Sequence, residues 1–215
     1  AVDGLIATFK KMESKYKDVV KLGRTHIQDA VPITFGQEVS GWRASLENAK
    51  HMIELASSTL YTSSLGATAV GTGSTCPLKK GYAKYACDAL NKVLKTDKFK
   101  VTSNLFQSTW SKDQFVFVSG SVKALAMNLY KISQDVRFLA SGPRSGFGEI
   151  NIPQNEPGSS IMPGKVNPTQ CELMSMACDQ VVGHDINISL LAAQANFELN
   201  TFGTFLIQNF VQMIG

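Results

Sequence analysis

The sequence predicts an all-α fold, a bundle of long helices. Two apolar series keep helical spacing over long stretches: Phe35, Val39, Trp42, Leu46, Ala49, Ile53, Ala56 and Leu60, then Phe115, Val118, Val122, Leu125, Leu129, Ile132, Val136 and Leu139. Alternating steps of four and three hold one stripe on one helix face. A stripe sustained this long implies helices packed nearly parallel to their neighbours. No segment shows the convincing apolar–polar alternation of a half-buried strand.

Taken in order, residues 1–20 carry Val2, Leu5, Phe9 and Met12 at helical spacing, with no capping residue ahead of them. Thr34, with Gln37 three residues on, forms a capping box that opens the first long helix. Each long helix spans roughly 35–40 Å at about 1.5 Å per residue. Leu78 to Leu94 and Glu172 to Asn187 read as further helices, and the segment from Asn196 onward as another. Thr201 to Gly215 stops inside an apolar helical pattern, so both ends read as cut. The expected unit is a central helical-bundle domain over 1–215, truncated at both ends. Stripes this wide need partners on more than one side. That favours an oligomer of bundles sharing a larger core over a single five-helix bundle closed on itself.

Composition limits the function. With 44% hydrophobic and 18% charged residues, the 215-residue chain has the make-up of a folded globular protein. A formal net charge of +4 with scattered lysines gives no nucleic-acid surface, and a few cations facing a small anionic substrate fit it equally well. Cys76, Cys87, Cys171 and Cys178 form no Cys-x-x-Cys pair, and only three histidines accompany them, so no metal site is expected. The thiols read as reduced and mostly buried, in a cytosol-like compartment. No apolar run approaches the roughly 20 residues of a membrane-spanning helix.

Three polar segments between the helices concentrate the chemistry. The first, Gly23 to Ala30, places His26 among polar residues. An imidazole there could move protons near neutral pH, or it could be a structural histidine satisfied by backbone carbonyls; the segment alone favours the structural role. The second, Gly66 to Gly73, has phosphate-cradle glycines but lacks the P-loop lysine, and reads as a tight connection between helices. The third, Ser141 to Asn167, is rich in Gly and Pro yet includes Ile161, Met162 and Val166, which a disordered linker would seldom carry. Its end reads as a helix start: Asn167 as cap, Pro168 at the first position, Gln170 at the third. The partial positive charge of that helix start, beside Lys165, makes an anion site. An Asn167 oxygen used as a cap cannot also bind ligand, although its amide NH2 could still donate. His51 reads as a surface or packing residue of the first long helix, and His184 as a cation near a helix end.

Gly158-Ser-Ser-Ile-Met-Pro-Gly-Lys-Val-Asn-Pro168 resembles the signature of the fumarase/aspartase superfamily. Gly23 to His26, Thr68 to Gly73 and Phe197 to Asn200 are similar to other blocks of that family, in its order and spacing. Within it, Thr169 to Glu172 and Ala195 to Asn200 look like class II fumarase, as does His26. Ala67, where glycine is more usual, and Ser103 to Asp113 depart from the family text. The resemblance implies reversible hydration of fumarate to malate without a cofactor. It implies Ser159 as the base and His26, oriented by Glu172, as the group handling the proton of water. It implies Thr25, Ser160, Lys165, Val166 and Asn167 as substrate-binding. It further implies a homotetramer with active sites shared between subunits. The location implied is the cytoplasm, or the mitochondrial matrix in a eukaryote. The family's N-terminal domain supplies further substrate loops that lie outside these residues, so this piece alone is expected to be inactive. An aspartate ammonia-lyase is the enzymatic rival. A catalytically silent relative is the other, against which the intact Ser159, Lys165, Asn167 and His26 argue.

Overall fold

The computed structural model describes residues 1–74 and 81–215. The chain folds as two compact units, residues 1–51 with 124–179 and residues 52–123 with 180–215.

In the first unit, α1 (Val2–Lys15) and the start of α2 (Phe35–Ser57) pack with the end of α5 (Asp113–Leu139). Phe9, Val39, Trp42, Leu46, Ile132 and Leu139 are its buried core. These come from the predicted stripes, so the spacing identified the core face correctly. Trp42 lies with its centroid 6.0 Å from Phe9 and 6.1 Å from Phe35, an edge-on contact in the second case. Its indole N–H donates to Asp135 at 3.1 Å, so the ring is buried without an orphan donor. The capping box forms as predicted: the Gln37 amide N–H donates to the Thr34 hydroxyl at 3.1 Å, and Thr34 N–H to the Gln37 side chain at 2.9 Å.

The first unit also holds a feature the sequence does not predict. Val20–Thr25 (β1) and Gln28–Thr34 (β2) form an antiparallel hairpin. Neither strand alternates, because most of the ribbon is exposed and Gly23 and Pro32 interrupt it. The register slips between Leu22 and Arg24, so Gly23 faces two residues, Ala30 and Val31. A β-carbon at Gly23 would stand 2.9 Å from the Val31 carbonyl, and only glycine fits there.

In the second unit, the end of α6 (Thr169–Ala193) packs with α7 (Gly203–Ile214) and the start of α5. Ile188, Leu191, Leu206 and Met213 are buried, and Phe115 meets Phe210 edge-on at 5.4 Å. Asp185 is buried and accepts from Ser119 Oγ at 2.6 Å and Lys123 Nζ at 2.5 Å. Short strands β3 (Thr62–Ser63) and β4 (Lys100–Val101) pair in parallel beside α3 (Tyr82–Leu94) and α4 (Leu105–Trp110). The predicted helix Leu78 to Leu94 begins among residues 75–80, outside the described residues, as does Cys76. The tract from Asn196 starts with a tight turn instead of a helix, Asn196 bridging Leu199. His184 lies well inside α6, which runs on to Ala193, and its Nδ1 pairs with Asn209 Oδ1 at 3.1 Å. Cys87 and Cys178 are buried and Cys171 partly so. Among the described residues no helix is long and apolar enough to cross a membrane.

Candidate active site

The residues expected to carry the reaction all lie in the first unit. Thr25 ends β1 and pairs with Gln28, so His26 and Ile27 are the two residues of the hairpin turn. Both have left-handed backbone, φ 54° and 63°, where glycine or asparagine is usual. A non-glycine residue held there costs about 1–3 kcal/mol, and such strain concentrates at functional sites. The turn holds the exposed imidazole at the tip of the ribbon.

The second cluster is the loop from Gly158 to Asn167. The Ser159 hydroxyl oxygen accepts the backbone N–H groups of Met162 (3.1 Å) and Ile161 (3.3 Å). Two donors converging on one oxygen favour its ionised form, which is what a serine needs to act as a base. The loop closes on itself. Asn167 Nδ2 donates to the Gly158 carbonyl at 2.5 Å, and Lys165 N–H to the Met162 carbonyl at 3.2 Å. A β-carbon on Gly158 would fall inside the envelope of the Lys165 carbonyl oxygen, so the closed loop admits only glycine. Lys165 is exposed, and no hydrogen bond or ion pair among the described residues engages its ammonium. Ser160 and Val166 are exposed on the same loop.

The helix that follows corrects one expectation. Helix α6 starts at Thr169, and the Pro168 carbonyl accepts from Cys171 at 2.9 Å and Glu172 at 3.1 Å. Pro168 therefore occupies the capping position, and the Asn167 amide serves the loop instead. Glu172, in the first turn, is favourably placed against the helix dipole. Its partner is Arg137 at 3.4 Å, a half-exposed pair that adds little stability. His26 and Glu172 make no hydrogen bond with each other among the described residues, so one chain does not assemble the expected His–Glu pair. Burial lifts the Cys171 thiol above its ordinary value; Glu172 adds to this and Arg137 opposes it, leaving a poor nucleophile at neutral pH.

Lyase-family sequences match residues 1–183. The chain belongs to the lyase family. The class II fumarate hydratase of Helicobacter pylori is 47% identical over all of this lyase chain, which covers 46% of that protein. The enzyme of the same name from Yersinia pestis is 50% identical over 93% of the chain and 42% of its own length. The crystal structure of class II fumarase from Schistosoma mansoni superposes with a TM-score of 0.94 at 36% identity, covering 99% of this chain and 47% of that one. The lyase chain thus spans about half the length of the curated relatives it matches. The resemblance read from the Gly158–Pro168 signature is borne out, and so is the helical fold class.

Sequence reasoning missed the charge network behind the lyase hairpin. Glu149 accepts from Arg24 at 2.6 Å and pairs with Lys21 at 3.1 Å; Lys21 in turn donates to Glu38 at 2.8 Å. Burial pushes the Glu149 carboxyl up, but the hydrogen bonds from Arg24 and Lys21 outweigh it and hold the net value below the ordinary range. Arg24, bonded to Glu149, is held above its ordinary value. Arg24 stood inside a recognised block without a role, and nothing local links it to a carboxylate so far along the chain. A cavity of about 760 Å³ behind the hairpin is lined by Tyr16, Lys21, Trp42 and Glu149 among others, and by none of the expected site residues.

Proposed function

We propose that the full protein interconverts fumarate and malate by reversible addition of water, with Ser159 as the base. The single observation that carries this reading is the Ser159 oxygen held by the Ile161 and Met162 N–H groups on a loop that also bears Lys165. In the dehydration direction Ser159 takes the proton from the carbon beside a carboxylate of malate. The resulting aci-carboxylate is doubly negative, and fixed positive charge must stabilise it. Lys165 and the start of α6 supply that charge. Asn167, Thr25, Ser160 and Val166 line the place of the carboxylates. Hydroxide leaves with a proton from His26, directly or through water, a contribution of about 10²–10⁴ in rate.

Shared active sites fit the single chain. Glu172 faces Arg137 within its own chain, so His26 would meet a Glu172 of another copy. Helix α6 leaves Leu173, Met176, Ile186 and Leu190 exposed, large apolar side chains that packing against other copies would bury. The assembly that supplies it is a homotetramer, the whole acting in the cytoplasm, or in the mitochondrial matrix of a eukaryote. The 215-residue piece alone is inactive on this reading.

The test is to assay the full-length protein separately with malate and with aspartate, following fumarate by its ultraviolet absorbance. Turnover of malate alone supports a hydratase. Release of ammonia from aspartate, with malate untouched, would replace it with an ammonia-lyase, and silence with both would leave a non-catalytic relative.

A further inference from the structure

We propose that Arg24 and Glu149 are positioning residues, a strut that holds the strained turn carrying His26 against the segment leading to Ser159; the proposal rests on the hydratase reading. The need for such a strut follows from the hairpin. A two-stranded ribbon is at best marginally stable by itself, and here its far end is unsupported by burial: Ile27 is 59% and Val31 66% exposed. Two left-handed residues at the tip add a further cost. Something outside the ribbon must fix the tip.

Arg24, two residues before His26, reaches outside the ribbon. Its Nη2 pairs with Glu149 at 2.6 Å, and its guanidinium lies over the Phe147 ring, 4.6 Å from the centroid. Its neighbour across the ribbon, Asp29, stays 3.7 Å from Nε and is largely exposed, while Nε itself is buried without a hydrogen-bond partner. Arg24 is thus committed to the 147–149 segment rather than to its own hairpin. That segment is firmly seated. Glu149 N–H donates to the Leu139 carbonyl at 2.8 Å, Ile150 N–H to the same oxygen at 3.2 Å, and Gly148 N–H to the Ser141 carbonyl at 2.8 Å. The second Glu149 oxygen continues through Lys21 to Glu38 in the first turn of α2. Two cations and two anions, with side chains only 11–21% exposed, therefore form a neutral chain. Ion pairs largely withdrawn from water repay their desolvation only in part, so the chain's net contribution to stability is small.

The experiment uses the full-length protein with Arg24→Met, Glu149→Gln, the double variant and Arg24→Lys. Arg43→Met is the control, because it removes bonds to Glu13 (2.7 Å) and Glu47 elsewhere in the same unit. Kinetics with malate, thermal melting and hydrogen exchange of peptides covering residues 25–28 are measured together. Misplacement of a reacting group by about 1 Å costs on the order of 10²-fold, so each single variant should lose about 10–100-fold in kcat with KM little changed. The double should be no worse than the poorer single, Arg24→Lys should recover part of the loss, and exchange at 25–28 should quicken. Arg43→Met should melt lower with kcat unchanged. The proposal is overturned if Arg24→Met and Glu149→Gln only lower the melting temperature, as the control does, or if their kinetic losses add. If the wild-type protein turns over no malate, the hydratase reading fails and exchange alone decides: faster exchange at 25–28 in the variants keeps the strut, unchanged exchange removes it.

Discussion

Replacing Gly158 with alanine isolates the loop that presents Ser159. Gly158 does not have left-handed backbone, so the substitution acts through space alone. The added methyl would occupy the position of the Lys165 carbonyl oxygen, and the loop must open to admit it. Opening pulls apart the 2.5 Å bond from Asn167 Nδ2 to the Gly158 carbonyl, worth about 1 kcal/mol net to loop closure. It also draws the Ile161 and Met162 N–H groups off the Ser159 oxygen. Loss of one donor to a developing oxyanion costs about 10²–10³ in kcat, so Gly158→Ala in the full-length protein should lose at least that. None of the loop residues belongs to the buried cluster of its unit, so the loss of stability should stay near the roughly 1 kcal/mol of that one bond. Fumarate absorbance gives kcat, and thermal melting by circular dichroism reports the fold. A kcat within about threefold of wild type, less than 1 kcal/mol of barrier, would refute the closed loop as the activating device.

Three further outcomes follow from the structure. Lys123→Met leaves the buried Asp185 with Ser119 as its one hydrogen-bond partner among the described residues, and because the lysine is half-exposed it should destabilise the chain by about 1–2 kcal/mol in urea unfolding. Glu149 has a depressed folded value, so its contribution to stability is fully present above the unfolded carboxylate value near 4.5 and is lost as pH falls through the lower folded value. Glu149→Gln should therefore flatten the acid side of a stability–pH curve measured below about pH 5. Thr34→Ala removes the hydroxyl that receives the Gln37 N–H and should cost about 1 kcal/mol in thermal or denaturant unfolding, without altering kcat.

The helices were legible because their information is local and periodic. Val39, Trp42, Leu46, Ile132 and Leu139 recur at steps that only a helix places on one face, and Thr34 and Gln37 mark a start within four residues. The hairpin was not legible. Its strands are mostly exposed, so no alternation is imposed on them, and its turn uses His26 and Ile27 where an Asn-Gly pair would have announced it. The signature loop stands out by its composition, but composition does not fix which residue caps the helix after it. The rule that puts proline just inside a helix points to Asn167 as the cap, whereas Pro168 itself occupies the capping position and the Asn167 NH2 donates to the Gly158 carbonyl. Arg24 and Glu149 meet only after the chain has folded, so no window of sequence could pair them.

The most direct test is Ser159→Ala in the full-length protein, measuring malate dehydration alongside exchange of the malate methylene proton with solvent. With the base gone, both rates should fall by about 10²–10⁴ or more while circular dichroism and assembly stay unchanged. Proton exchange and turnover that persist near wild-type rates would mean that another group removes the proton, and that the two N–H groups around the Ser159 oxygen serve only to shape the loop.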